Sequence, residues 1–206
     1  MNKAIIVKNC LLLAFFTAFS LNTQAQSLGN VERGVVVNGV RWATRNVDEP
    51  GRFAARPESA GRIFQWNRRK AWSASGSVQN WDYPAVFGQS WSWERSNDPC
   101  PRGWRVPTAM ELQSLVDAGS IATTRNGVNG RLFGTGRNQI FLPAAGARDR
   151  NGGVLMGVNE AGFYWSSTRY DGYTNAAISL EFFPDEIGVE NYHFRADGMS
   201  IRCVAE

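Results

Sequence analysis

The chain has 206 residues, of which 43% are hydrophobic and 19% charged, with a formal net charge of +4. That length suits one domain with a real core. Two of the cations, Lys3 and Lys8, fall within the first ten residues. The remainder is close to neutral and lacks the basic stripe of a nucleic-acid binder, so nucleic acid is excluded as a partner.

The amino-terminal segment has three parts. Lys3 and Lys8 give a charged start, Leu11 to Phe16 an apolar run that continues through Phe19 and Leu21, and Thr23-Gln24-Ala25 a small-x-small exit. This is the build of a secretory signal peptide over residues 1–25, with cleavage expected after Ala25. The run is shorter than the roughly 20 residues of a bilayer span. Cys10 precedes the apolar core, so a lipid anchor on a new terminal cysteine is not expected. The expectation is export, to the periplasm, the cell surface or the medium, with one domain over residues 26–206. No later segment is apolar enough to cross a membrane.

Loss of the leader removes Cys10 and leaves Cys100 and Cys203. In an oxidising compartment an even pair reads as a disulfide, with two free thiols as the alternative. Such a link would close a loop of about 100 residues and contribute on the order of 4–5 kcal/mol in the chain-entropy model. Lys70 is the only lysine after the leader, and all eight tryptophans lie there too. Arginine stacks on rings better than lysine does, so Arg–aromatic contacts are expected.

Along the chain, Val35-Val36-Val37, Asn38-Gly39 and Val40-Arg41-Trp42 spell a β-hairpin on a two-residue turn. Gly61 to Trp66 alternates as a half-buried strand does. Residues 71–98, with Trp72, Trp81, Trp91 and Trp93, read as a long loop. Pro107-Thr108-Ala109-Met110-Glu111 carries a capping box, Leu112, Leu115 and Val116 share one face, and Gly119 is a fitting stop. This is the main helix, and a second near the start of the domain is only weakly indicated. Residues 127–162 are dense in Gly and Asn and read as turns. Gly162 to Thr168 is an aromatic strand, and Ile178, Leu180 and Phe182 alternate with polar residues. Tyr192 to Arg195, Asp197-Gly198 and Met199 to Val204 read as a closing hairpin, with Met199, Ile201 and Cys203 on one face. The fold class is α+β: antiparallel sheets, one main capped helix and long irregular loops.

Several blocks carry a family resemblance. They are Val40 to Asn46, Gly61 to Trp66, Asp98-Pro99-Cys100-Pro101-Arg102-Gly103-Trp104-Arg105-Val106-Pro107-Thr108, Tyr164-Trp165-Ser166-Ser167-Thr168 and Ser200-Ile201-Arg202-Cys203-Val204. In this order they resemble the Fibrobacter succinogenes major paralogous domain family, common in secreted proteins of Bacteroidetes-type bacteria. The resemblance covers nearly all of the chain after the leader. It implies a C-type-lectin-like fold that brings the chain ends together in one sheet, an exported and often cell-surface address, and pairing of Cys100 with Cys203. The blocks themselves read mostly as packing elements.

Chemistry is thinly represented. His193 is the single histidine and lies in a predicted strand. There is no Gly-x-Ser-x-Gly elbow, no Cys-x-x-Cys pair and no phosphate loop. The Glu-Pro-Asn, Gln-Pro-Asp and Trp-Asn-Asp motifs of calcium-dependent lectins are missing. Asp149-Arg150-Asn151-Gly152 is a fragment of a calcium loop, but a short turn explains it. The related fold of formylglycine-generating enzymes needs reactive cysteines, and here both look committed to each other. No catalytic residue, metal or cofactor is therefore expected. The expected function is a recognition or adhesion module binding a glycan or protein through Trp81, Tyr83, Trp91, Trp93, Arg148, Asp149, Tyr170 and Tyr173. The alternatives are a structural part of a fimbria or envelope assembly and, further off, an enzyme of the formylglycine-generating-like fold.

Overall fold

The computed structural model describes residues 31–83, 90–189 and 192–206, and the expected leader lies outside them. Residues 34–206 form one compact unit. β1 (Val35–Val37) and β2 (Val40–Trp42) make the expected hairpin. Its turn residues Asn38 and Gly39 have φ of 46° and 83°, the left-handed region that Asn and Gly tolerate. β3 (Val47–Glu49) and β4 (Arg52–Phe53) form an irregular hairpin at Pro50-Gly51. β5 (Arg62–Gln65) is the expected alternating strand, and its partner β6 (Ala71–Ser73) falls inside the stretch expected to be loop.

The short β7 (Trp104–Arg105) leads into α1 (Ala109–Asp117), the one α-helix among the described residues. Thr108 Oγ1 accepts the Glu111 backbone N–H at 3.2 Å, and Glu111 Oε2 accepts the Thr108 N–H at 2.8 Å. This reciprocal cap satisfies donors that the first turn leaves open. Arg105 clasps the same carboxylate at 2.6 and 2.8 Å. Burial opposes the ionised form of Glu111, but the hydrogen bonds from Arg105 and Thr108 outweigh it and hold the carboxyl below its usual range.

Residues 127–143 differ from the expectation of turns. With β8 (Ser120–Arg125) they form a three-stranded meander through β9 (Val128–Thr135) and β10 (Asn138–Pro143). Two of the glycines that suggested turns, Gly130 and Gly134, sit within β9. A Cβ on Gly130 would lie 2.3 Å from Leu142 O, and one on Gly134 would lie 2.2 Å from Asn138 O. They permit close backbone approach instead of breaking the strand.

The remaining strands are β11 (Ala147–Arg148), β12 (Leu155–Met156), β13 (Gly162–Arg169), β14 (Ala176–Phe182), β15 (Ile187–Gly188), β16 (Tyr192–Phe194), β17 (Gly198–Met199) and β18 (Val204–Ala205). The closing hairpin does not form. β16 pairs with β14, whereas β17 pairs with β5 and β11, and β18 with β2 and β7. The Asp197-Gly198 turn separates segments bound for different sheets. A Cβ on Gly198 would lie 2.5 Å from Ile63 and 2.6 Å from Trp81, so only glycine lets β17 lie that close.

Among the described residues every pairing between named strands is antiparallel, and two isolated bridges, Gly146–Gly162 and Tyr164–Ser200, are parallel. The sheets run β1-β2-β18-β7, β10-β9-β8, β12-β11-β17-β5-β6 and β13-β14-β15, with β16 also on β14 and β3-β4 as a separate pair. Trp42 and Val204 are register partners, so the two ends of the unit meet in one sheet. The core has two parts. One gathers Phe64, Trp66, Trp93, Phe163, Trp165, Met199 and Ile201 around Cys100 and Cys203. The other gathers Trp42, Leu112, Leu115, Phe133, Tyr164, Leu180, Phe182 and Val204. β13 serves both because its side chains alternate: Phe163 and Trp165 enter one cluster and Tyr164 the other. No helix among the described residues is long and apolar enough to cross a membrane.

Candidate functional site

The sequence-predicted residues separate into anchors inside the fold and rings at its surface. Arg148 is an anchor, fully buried on β11. Its guanidinium donates to the carbonyls of Ser73, Ser75, Gly76 and Gly153. Burial lowers its pKa from the usual arginine value. Asp149 closes the adjoining turn, accepting the Val154 N–H on Oδ1 at 3.1 Å and the Gly153 N–H on its carbonyl at 3.0 Å. Among the described residues, no group of three or more His, Cys, Asp or Glu is placed to share a metal ion.

Trp93 is also an anchor. It is 8% exposed, packs on Trp66 at 5.7 Å and donates its indole N–H to Asn97 O at 3.0 Å. Trp81 lies against Trp72 at 4.7 Å. Its indole fills the space that a side chain at Gly153 or Gly198 would occupy. Tyr83, two residues on, is 63% exposed and joins no ring stack among the described residues.

Trp91, Tyr170 and Tyr173 lie at the surface. Residues 91–93 run antiparallel to the end of β13, through a Ser92–Thr168 bridge and the Trp93 N–H to Ser167 O bond of 3.0 Å. Trp91 is 65% exposed, and the Arg169 guanidinium lies 3.2 Å from its ring centroid. Arg169 begins a series of cations and rings leading inward. Arg195 stacks on Trp66 at 4.2 Å, and Trp66 meets Trp93. Burial first, then the charges of Arg169 and Arg68, pushes the Arg195 guanidinium down to about 10.

Tyr170 and Tyr173 are held by a closed loop, Tyr170 N–H to Ala176 O and Ala176 N–H to Tyr173 O, each 3.1 Å. Tyr192 on β16 joins them. It stacks on Tyr170 at 4.4 Å and 14°, and Tyr173 lies 5.4 Å from Tyr192 and 6.0 Å from Tyr170. Tyr173 stays 54% exposed and Tyr192 42%. Sequence reasoning missed Tyr192 because it placed residues 192–195 in a hairpin with the last strand. Only the pairing of β16 with β14 brings it beside the 170–176 loop. His193, its neighbour, sits 3.2 Å from Glu181 and edge-on to Phe163 at 5.7 Å.

The disulfide joins Cys100 to Cys203, with Cα atoms 6.1 Å apart. Asp98 braces the approach, accepting the N–H groups of Cys100 and Val106 at 2.8 and 3.1 Å. Trp104 packs beside it, edge-on to Phe53 at 5.7 Å. The sequence pattern of the Fibrobacter succinogenes major domain matches residues 35–205, most of the chain. The chain belongs to the Fibrobacter succinogenes major domain family. No curated protein and no solved structure matches it.

Three of the blocks that carry the family likeness converge on one buried polar centre. Arg202 Nη2 and Nε donate to Asn46 Oδ1 at 2.7 and 3.0 Å. Asn46 Nδ2 donates to Ala60 O at 2.9 Å and lies 3.3 Å from the Tyr164 hydroxyl, which donates to Pro143 O at 2.8 Å. All three residues are fully buried. Burial pushes the Tyr164 phenol up to about 12, with the Arg202 charge opposing. In this member of the family, Asn46, Tyr164 and Arg202 therefore tie β13, the 43–47 segment and the stretch leading into the last strand together, and they form part of the frame that carries the surface rings.

Proposed function

We propose that the protein is an exported, non-catalytic recognition or adhesion module whose ligand, a glycan or a protein, is gripped by Trp91 and the Tyr170–Tyr173–Tyr192 cluster. The single observation that carries this reading is the set of large rings left exposed on loops that are otherwise firmly fixed. Exposed rings backed by a rigid frame suit both the C–H faces of sugar rings and protein hot spots. Pre-set loops also limit the ordering cost of binding. The leader pattern and the disulfide support an address in the periplasm, at the cell surface or outside the cell. We read the fold as C-type-lectin-like, with the paired end strands β2 and β18 as support. A thiol-based oxidation is disfavoured because Cys100 and Cys203 are bonded to each other. The test is a glycan array together with pull-down from cell-surface extracts. Replacement of Trp91, Tyr173 and Tyr192 by Ala is expected to weaken capture at least tenfold, and undiminished capture would refute this site.

A second reading, a structural part of a fimbria or envelope assembly, draws on one observation. β8 is six residues long, pairs only with β9 among the described residues, and carries Ile121 at 61% exposure. An open edge of that length is a template for another strand. Solution mass separates the readings: a monomer at high concentration argues against self-assembly through β8.

A further inference from the structure

We propose that the cleft between the 56–60 loop and the β8–β9 turn is a second binding site, for a neutral glycan segment, read through Glu58. The cleft has a volume of about 480 Å³. Small-ligand sites span about 300–1,000 Å³. Its apolar lining is mostly small groups, Ala60, Ala74, Pro143, Ala144 and Ala145, and its polar lining includes Glu58, Asn126 and Asn159. A further depression of about 270 Å³ adjoins it and shares Ala144 and Asn159. Two adjoining hollows suit successive units of one oligomer.

Glu58 is the unusual member. It is 5% exposed, yet its carboxylate takes one short side-chain hydrogen bond, from Asn126 Nδ2 at 2.7 Å. Two guanidiniums stand further off, Arg56 at 3.7 Å and Arg125 at 3.9 Å. The hydrogen bond from Asn126, a second from its own backbone N–H, and those two charges outweigh burial and keep the carboxyl below its usual range, so it is ionised at neutral pH. An ionised carboxylate has about four lone-pair sites. Glu58 therefore keeps acceptor capacity inside the cleft. Asn159 uses its Oδ1 on the Asn129 N–H at 2.8 Å, and its two amide hydrogens have no partner among the described residues.

A carboxylate that can take two adjacent O–H donors, beside amides that donate, matches vicinal hydroxyls. The small apolar lining matches the C–H face of a pyranose. The backing is rigid, because the carbonyls of Ala60 and Pro143 are held from behind by Asn46 and Tyr164 at 2.9 and 2.8 Å. Charge-assisted hydrogen bonds are about twice as strong as neutral ones, so Glu58 carries most of the recognition.

The test is an NMR titration of ¹⁵N-labelled protein with cellobiose, maltose, lactose and mannobiose, and glycerol as the control. Saturable shifts of the Asn126 and Asn159 side-chain amides are expected with at least one disaccharide, at concentrations at least tenfold below any that glycerol needs, since glycerol offers vicinal hydroxyls without a ring face. Glu58→Gln is expected to weaken that binding at least tenfold, and Ala74→Phe, which fills the cleft, to do the same should Glu58→Gln fail to fold. Trp91→Ala is expected to leave it unchanged. The proposal is overturned if no disaccharide gives a saturable shift. It is equally overturned if the folded variants bind as the parent does.

Discussion

The region around the disulfide and the surface around Trp91 use the same residue types in opposite ways. In the first, arginine and aromatic groups are turned inward and satisfied by the protein. Arg202 reaches Asn46 and the carbonyls of Ala43 and Phe141, while Trp165 gives its indole N–H to Phe64 O at 2.8 Å. In the second, the guanidinium of Arg169 lies against an indole that is 65% exposed, and three tyrosines stack with two of them open to solvent. Rings that only had to hold the fold would be covered as Trp66 and Trp93 are. On the function proposed above, the difference separates a frame, where substitutions cost stability, from a face, where they cost binding.

The frame should break first at the disulfide. Replacing Cys100 and Cys203 together by Ser is expected to cost about 4 kcal/mol in urea unfolding. A loss below 1 kcal/mol would mean that packing alone holds the segment before α1 to β18. Next, Asn46→Ala strips the buried Arg202 of two hydrogen bonds and is expected to cost about 3 kcal/mol, with no change in ligand affinity per folded molecule. A smaller effect is expected at the helix cap, where Thr108→Ala should cost about 1 kcal/mol. The cap also has a pH signature. The Glu111 carboxyl is held below its usual range, so its contribution is complete above about pH 4.5 and fades as the pH falls through the lower folded value. Glu111→Gln should therefore flatten the acid limb of the stability profile, read by thermal melts between pH 2 and 6. The smallest stability effect belongs to the face. Trp91→Ala is expected to cost about 0.5 kcal/mol, the scale of an exposed cation–ring contact, while weakening ligand capture.

Much of the frame was legible because its signals are local. Asn38-Gly39 between two apolar triplets specifies a hairpin, and Thr108 with Glu111 specifies a helix start. The cysteine pair followed from counting once the leader expected over residues 1–25 was set aside. The meander of β8, β9 and β10 was not legible because Gly130 and Gly134 serve close approach within a strand, which composition cannot distinguish from a turn. Arg148 and Trp93 looked like loop-surface residues for a similar reason. Their burial depends on Gly153, Ser73 and Trp66, which lie near in space but are set by long-range pairing. Tyr192 was hidden by the switch of β16 to β14, and the Glu58 cleft by its assembly from five separate segments of the chain.

The most direct test of the division into frame and face is a paired measurement on disulfide-intact protein. Trp91, Tyr173 and Tyr192 are replaced together by Ala, and the affinity for whichever glycan or surface protein the parent captures is measured beside the thermal midpoint. The account predicts at least a tenfold loss of affinity with a midpoint only a few degrees lower. Unchanged affinity, or a collapse of the fold, would contradict it.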